Sequence, residues 1–386
     1  MGVVILLAFI TITTSSMLRL LKQSLGNPTH KLIIVVILTQ YMVFCQARRT
    51  TYYVFPKILL RFLSFFRNSI LENKFRRYII MIIAIDHGNK QIKTVHKTFT
   101  SGLIVSDIPF PLSADSLYYG GKYYALTDER IPYMRDKTVN DKFFVLTLFS
   151  IAYELIGADK YVPGVTSEID LAVGLPPGHF GKQYKSFEKY FVKNEIIEFE
   201  FNQKNFKVVI NSATAYPQGY AAIMPIFAKI KEYPRSVIID IGGYSLDYLQ
   251  LKNGKADMSV CDSLEMGVIT LYNDIKSRIN SSEDMLIHES DIDAVLQNKP
   301  TVFEERIKKL IEQQSKDFVE KIIYSLRERM IDLKTTHAIF VGGGSLLLSK
   351  YIASSERIAS PDVIDNLNAN AVGYELLLKK QKERGR

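Results

Sequence analysis

The sequence predicts an α/β protein of two lobes, because three apolar strands each run directly into a glycine turn. Ile82–Ile85 leads into Asp86-His87-Gly88-Asn89, and Val237–Ile239 leads into Asp240-Ile241-Gly242-Gly243-Tyr244-Ser245, 154 residues later. The third strand, Ala338–Val341, meets Gly342-Gly343-Gly344-Ser345 with no acid in front. In the first two, an aspartate closes the strand and a glycine follows two residues on.

Glycine turns bring backbone N–H groups close to an anion, since no Cβ holds the chain away. The aspartates themselves repel a phosphate: two unit charges 4 Å apart interact at roughly 4 kcal/mol for an effective dielectric near 20. An aspartate beside a triphosphate therefore requires a divalent cation or an ordered water between them. A lone Asp-x-Gly or Gly-Gly-Gly is usually a plain turn. Three in this order, each after a strand, read as a split nucleotide site with Mg²⁺ at its centre.

The order and residues of these turns resemble the actin/Hsp70/sugar-kinase superfamily, and within it the ParM/StbA group of plasmid-segregating bacterial actins, over Met81 to the C-terminus. The resemblance implies an actin-like (ribonuclease H-like) fold whose two lobes close on ATP with Mg²⁺. It makes the segment from Asp86 the first phosphate loop, with Gly88 and Asn89, and the segment from Asp240 the second, with Gly242, Gly243, Tyr244 and Ser245. Gly342, Gly343, Gly344 and Ser345 match the turn against the adenosine, and Gly267 a helix entry near the ribose and base. Lys93, seven residues after Asp86, matches the lysine that reaches the phosphates in actins and ParM; without the motif it would read as a solvated strand lysine. Gln218, after Pro217, falls where the family places a Glu or Gln at the start of the helix joining the lobes. There it would orient the attacking water by hydrogen bonds rather than act as a strong base. Asp86 and Asp240 would organise the Mg²⁺ through its water shell.

Three residues depart from the pattern or leave it open. Tyr244 stands where actins and Hsp70s commonly have a small residue, which a backbone cradle tolerates if the side chain points away. His87 reads as a turn residue in preference to a metal ligand or an acid–base group. Asp247 is expected to end a strand, there to reach a bound cation through water or to pair within the sheet.

The first eighty residues are a different text. They hold eleven Lys or Arg and a single acid, Glu72, so the net charge of +9 belongs to them, and residues 81–386 carry −1. The basic balance is thus no evidence for a DNA-binding face on the body. Val3–Ile12 and Leu32–Phe44 are shorter than the ~20 apolar residues a membrane helix needs, and no basic segment precedes the first as in a signal peptide. A membrane-interface leader and a targeting segment are open readings. The favoured one is upstream sequence outside the natural product, with the protein starting at Met81. Two cysteines, Cys45 and Cys261, provide no disulfide framework, and the composition fits a reducing cytoplasm.

Along the body, Leu117–Tyr124 reads as a hairpin around Gly120-Gly121. Phe143–Ile156 is a helix by apolar spacing, with Gly157 as its C-cap. Ile169–Gly174 is a buried strand stopped by Pro176-Pro177, Lys182–Lys193 an amphipathic helix, and Glu195–Ile210 a hairpin turning near Gln203–Asn205. In the second half, Leu246–Leu251 and Ala256–Cys261 pair around Asn253-Gly254. Ile269–Ile279 is a helix, Phe303–Leu333 a charged amphipathic one, and residues 365–381 form a helix returning to the first lobe. The expected division is residues 1–80 as leader, 81–233 with 365–386 as lobe I, and 234–364 as lobe II.

Three readings of function follow. The first is an ATPase that polymerises into filaments and segregates plasmid DNA, reaching DNA only indirectly through a centromere-binding adaptor and touching a membrane only if the leader is genuine. The second is a non-filamentous member of the superfamily such as a small-molecule kinase, which Gln218 and the lack of an evident base disfavour. A degenerate binder with intact loops is a third. A chaperone would need a further substrate domain after the returning helix. No zinc spacing, nucleophile elbow or Walker A motif appears.

Overall fold

In a computed structural model, residues 79–111 and 115–385 are described. The expectations for the leader, its apolar runs and Cys45 lie outside these residues. The first strand starts at Ile79, two positions ahead of Met81.

The first sheet has nine strands among the described residues: β1 (Ile79–His87), β2 (Gln91–Lys93), β3 (Thr98–Thr100), β4 (Leu103–Ser106), β5 (Ser116–Tyr119), β6 (Lys122–Leu126), β7 (Thr166–Leu175), β8 (Ile197–Phe201) and β9 (Lys204–Pro217), in the order β3-β2-β1-β7-β9-β8-β5-β6-β4. At its centre β1, β7 and β9 run parallel. β1 from Met81 and the second half of β7 (Leu171–Leu175) are largely buried on both faces, as strands covered on both sides are, whereas β9 alternates buried and more exposed positions. Helix α1 (Lys142–Gly157) covers one face; twelve of its sixteen residues are buried, Phe143, Phe144 and Phe149 among them. The one acid of α1, Glu154, is buried too, and Thr94 and His96 donate to its carboxylate. Helix α2 (Pro177–Phe191) takes Pro177 at its first position, so Pro176-Pro177 opens a helix as well as closing β7.

Lobe II repeats the plan with five strands: β10 (Arg235–Ile241), β11 (Leu246–Lys252), β12 (Lys255–Leu264), β13 (His337–Val341) and β14 (Pro361–Val363), ordered β12-β11-β10-β13-β14. A short helix α3 (Phe227–Ile230) precedes it. Helices α4 (Val268–Glu283), α5 (Glu289–Leu296), α6 (Glu305–Glu328), α7 (Gly343–Leu347) and α8 (Ser349–Ser354) accompany it. The apolar stripe of α6 (Ile307, Ile311, Phe318, Ile322, Leu326) is buried, and its charges lie on the opposite face, as the spacing predicts.

Helix α9 (Ala369–Arg384) returns to pack on β1 and β7. It approaches closely because the facing residues are small: Ala84, Ala172, Ala221 and Ala371 form one cluster with Tyr374, and a Cβ on Gly373 would collide with the Ala221 carbonyl. The hairpins form as expected. Gly120-Gly121 and Asn253-Gly254 take the positive φ that two-residue turns demand, and the third turns on Asn202-Gln203. One local expectation fails. Gln218 starts no α-helix; it follows β9 directly and enters a chain of turns that becomes a 3₁₀ turn at Met224–Ile226. Gly219 at φ +71° takes a conformation a right-handed helix excludes.

Candidate functional site

The seven-residue interval between Asp86 and Lys93 is a hairpin register. The chain turns at Gly88–Lys90, and Lys93 of β2 lands directly across from Asp86 of β1. Its ammonium lies 3.8 Å from Asp86 Oδ2. On the other oxygen, Gln218 Nε2 donates to Asp86 Oδ1 at 2.8 Å. Asp86 and Gln218 are both buried. The Gln218 amide nitrogen is thereby committed to the acid, which leaves its carbonyl oxygen as an acceptor for water.

Lobe II supplies the matching half by the same construction. Asp240 near the end of β10 faces Asp247 across the antiparallel pair with β11. Asp247 therefore stands at the start of a strand, not at the end of one as the sequence suggested. Asn370 of α9 donates from Nδ2 to Asp240 Oδ2 at 2.8 Å and accepts from the Gly219 N–H at 2.8 Å. One side chain thus fixes both Asp240 and the backbone after Gln218. Burial, reinforced by the charge of Asp86, pushes the Asp240 carboxyl up to about 6, against the Asn370 hydrogen bond and Lys93. Burial likewise pushes Asp247 up to about 7, with Asp240 adding and the Ser245 hydroxyl opposing. Ser245 Oγ donates to Asp247 Oδ2 at 3.0 Å, and Asp247 Oδ1 is buried without a partner.

The raised carboxyl of Asp247 has a testable consequence. A folded pKa of about 7 against an unfolded 3.8 means that Asp247 costs stability above pH 7 and nothing below 4. Asp247→Asn is expected to match wild type near pH 4 and gain on it as pH rises to 7, by up to about 4 kcal/mol. Urea unfolding across that range measures it, and parallel pH profiles for the two proteins would refute it.

The turns around the acids are held by backbone. Gly242 N–H bonds the Ser245 carbonyl, Gly267 N–H the Tyr244 carbonyl, and Val268 and Ile269 N–H the Gly242 and Gly243 carbonyls. The N–H groups of Gly243 and Tyr244 have no backbone acceptor among the described residues, which suits an anion. Gly342 sits at φ +88° and ψ 164°, a region open to glycine alone. A Cβ there would collide with the Asp240 carboxylate and lie 2.8 Å from the Ile241 carbonyl oxygen.

These pieces line one cleft of about 600 Å³, within the range of small-ligand sites. Of the residues picked from sequence, Asp86, Gly88, Asn89, Lys93, Gln218, Asp240, Gly242, Gly243, Tyr244, Ser245, Gly343 and Gly344 line it. Gly267, Gly342 and Ser345 do not. Gly267 is pressed against the backbone of Gly243 and Tyr244, and Gly342 lies under Asp240. The Ser345 hydroxyl is buried and donates to the Val341 carbonyl at 2.5 Å. All three build the cleft's wall. His87 is neither turn residue nor ligand: it is fully buried in the core of lobe I, stacked on Phe191 at 5.1 Å and bonded through Nε2 to Thr147. Burial holds its imidazole well below the usual value, hence neutral.

Several lining residues went unpredicted: Lys137, Asn370, Asp293, Lys350 and the Leu346-Leu347 pair. Lys137 is buried, its ammonium donates to the His87 carbonyl, and burial lowers it to about 8 although Asp86 and Asp247 pull it back. Buried lysines are rare enough that this one would have stood out, but nothing in its loop sequence announces the burial.

At the mouth of the cleft the lobes clasp each other. Arg130 forks onto Glu289 at 2.9–3.3 Å. Lys90 reaches the Tyr272 hydroxyl at 2.7 Å and Asp293 at 3.3 Å. Tyr244 does turn its ring away from the turn's interior, and it stacks on Tyr133 of lobe I with centroids 3.7 Å apart.

Two sheets of the same plan, each central strand ending in a buried acid above a common cleft, define the architecture. Residues 84–220 match the family of the N-terminal domain of actin-like proteins, and residues 238–354 match the C-terminal domain of the archaeal MreB-like actin homologues. The chain is an actin-like protein. Its two matched segments meet at the cleft, with the Asp86 turn in one and the Asp240 and Gly342 turns in the other. Among solved structures, the actin-like fold recurs in the archaeal actin homologue Ta0583 in complex with ADP (18% identity, 78% of this chain and 99% of that one, TM-score 0.60). It recurs in Bacillus thuringiensis ParM with ATP (11%, 80% and 100%, TM-score 0.60) and in the Alp12 filament structure (15%, 78% and 99%, TM-score 0.57). No curated protein matches the chain. Among the described residues of this actin-like protein, no helix is long and apolar enough to cross a membrane.

Proposed function

We propose that this actin-like protein is an ATPase that binds ATP with Mg²⁺ between its lobes, polymerises with it into filaments, and segregates plasmid DNA in the cytoplasm through a centromere-binding adaptor. The observation that carries the reading is the convergence of Gln218 and Lys93 on the two oxygens of Asp86, in one cleft with Asp240 and the amides of Gly243 and Tyr244. Solved proteins of the same fold hold ADP or ATP, and one is a filament.

The residues fit a divalent cation held through water. Among the described residues no three acids, histidines or cysteines converge to ligate a metal directly. Yet Asp86, Asp240 and Asp247 are buried in one cleft, and one Asp247 oxygen lacks a partner. Asp86 and Asp240 would hold the ion's water shell. The chemistry that Mg²⁺ would supply there is neutralisation of phosphate charge during hydrolysis.

The remaining work falls to the chain's own groups. Lys93 would offset phosphate charge from the β1–β2 hairpin. The Gly243 and Tyr244 amides would donate to phosphate oxygens. The Gln218 carbonyl, its amide fixed by Asp86, would accept a hydrogen bond from the attacking water and hold it in line. No strong base is placed there, which suits slow, timed hydrolysis.

Phosphate release from Mg²⁺–ATP in the absence of any acceptor tests the chemistry. Steady release supports an ATPase. A protein that binds ATP yet releases phosphate only when a small-molecule hydroxyl is added is the kinase alternative.

A further inference from the structure

Among the described residues, Lys137 is the one buried lysine of the cleft, and none of the three turns explains it. It lies in the loop between β6 and α1, and only 7% of it is exposed. The His87 carbonyl, at the end of β1, accepts one of its three ammonium protons; no other hydrogen-bond partner is found for it among the described residues, and no carboxylate oxygen there comes within ion-pair distance. A buried ammonium without a bonded counter-charge is costly. It persists where something supplies that charge.

The cleft tells what the occupant must be. Three buried acids already stand there, so a metal ion does not seek Lys137; an anion does. Lys93 is committed to Asp86 at 3.8 Å, whereas Lys137 keeps two donors unspent. Its neighbours by charge are Asp86 of the first phosphate turn and Asp247, which faces Asp240 across the strand pair just after the second. The turn proposed to lie against adenosine, Gly342–Gly344, belongs to the other lobe. Lys137 therefore belongs to the phosphate end.

The loop that carries Lys137 also carries the clasp. Arg130 and Tyr133, seven and four residues before it, make the bonds to Glu289 and Tyr244 of lobe II. A contact made by Lys137 thus bears on the lobes' closure through a short stretch of chain.

We propose that Lys137 donates to the terminal phosphate of a bound nucleoside triphosphate and is the contact by which the protein tells triphosphate from diphosphate, bracing the Arg130–Tyr133 loop that already meets lobe II. This rests on the nucleotide reading of the cleft. It adds a residue, and a discrimination, that the turns themselves do not supply. Like any buried cation meeting a phosphate, the contact is charge-assisted and short-ranged, so loss of one phosphate removes it entirely.

The test is equilibrium binding of Mg²⁺–AMPPNP and Mg²⁺–ADP to the full chain and to Lys137→Met and Lys137→Arg, with thermal unfolding of each. Met keeps the aliphatic stem without the charge. It is expected to weaken AMPPNP binding by about 10- to 100-fold, the size of a charge-assisted hydrogen bond, and to leave ADP within about threefold. Arg retains charge and donors and is expected to keep a preference for AMPPNP. Equal loss of both ligands in Lys137→Met, or no loss of either, overturns the proposal, as does a Lys137→Arg protein that folds and behaves like Met. If Lys137→Met fails to fold, Lys137→Arg decides: equal affinity for the two ligands overturns the discrimination, and a kept preference supports it. A wild-type protein that binds neither ligand removes the nucleotide reading itself, and this inference with it.

Discussion

Asp240→Asn is expected to lower phosphate release from Mg²⁺–ATP by about 10- to 100-fold, the range for losing a group that orients a metal's outer shell, while leaving the fold intact. The two halves of this expectation have separate physical causes. Asp240 is buried, and its burial beside Asp86 raises the carboxyl to about 6, so its charge opposes folding at neutral pH. Asn keeps the shape and an acceptor for Asn370, and it removes the misplaced charge. Stability should therefore stay level or rise as activity falls, the pattern of a residue kept for function. Phosphate-release assays and thermal melts on one preparation measure both. Turnover near wild type would remove Asp240 from the site.

Gln218→Ala is the second large effect, and it separates assembly from chemistry. On the proposed function the side chain holds water, and among the described residues its hydrogen bond runs to Asp86 and not to the turns of lobe II that would cradle phosphate. Nucleotide binding and closure should survive its loss, whereas hydrolysis should slow by roughly 10²–10³-fold, by analogy with removing one preorganised donor. On the proposed function, filaments of the variant form with ATP and last longer, because hydrolysis is the step that weakens them. Light scattering followed through its decay, with phosphate release alongside, reads both. A variant that assembles and disassembles on the wild-type schedule would reduce Gln218 to a turn residue that braces Asp86.

What could be read from the sequence was what the chain writes locally. Asp86, Gly88 and Lys93 fall within eight residues of one hairpin, so spacing alone carries their register. Asp240 and its turn are legible for the same reason. The Gly-Gly and Asn-Gly turns mark two strand pairs by backbone chemistry that few other residues tolerate.

What could not be read is non-local or depends on which way a side chain turns. Asn370 lies 130 residues from Asp240 in the chain, at the second position of a helix, where an asparagine signals nothing beyond a helix start. Lys137 becomes informative only when its burial is known. Ser345 looked like a ligand contact because it follows three glycines, but a serine in the first turns of a helix can bond back to a carbonyl four residues earlier, and it does. The family resemblance puts Gln218, after Pro217, at a helix start. Gly219 at positive φ instead bends the chain under α9, and that bend is what delivers the amide to Asp86.

The central claim, that nucleotide binding in this cleft drives self-assembly, is tested most directly by ATP-induced light scattering of the full-length protein with phosphate release recorded in the same sample. The account predicts scattering that rises on addition of Mg²⁺–ATP above a threshold protein concentration, phosphate release that lags it, and scattering that then decays, with no rise in ADP. A protein that hydrolyses ATP but neither scatters nor pellets at any concentration would contradict it.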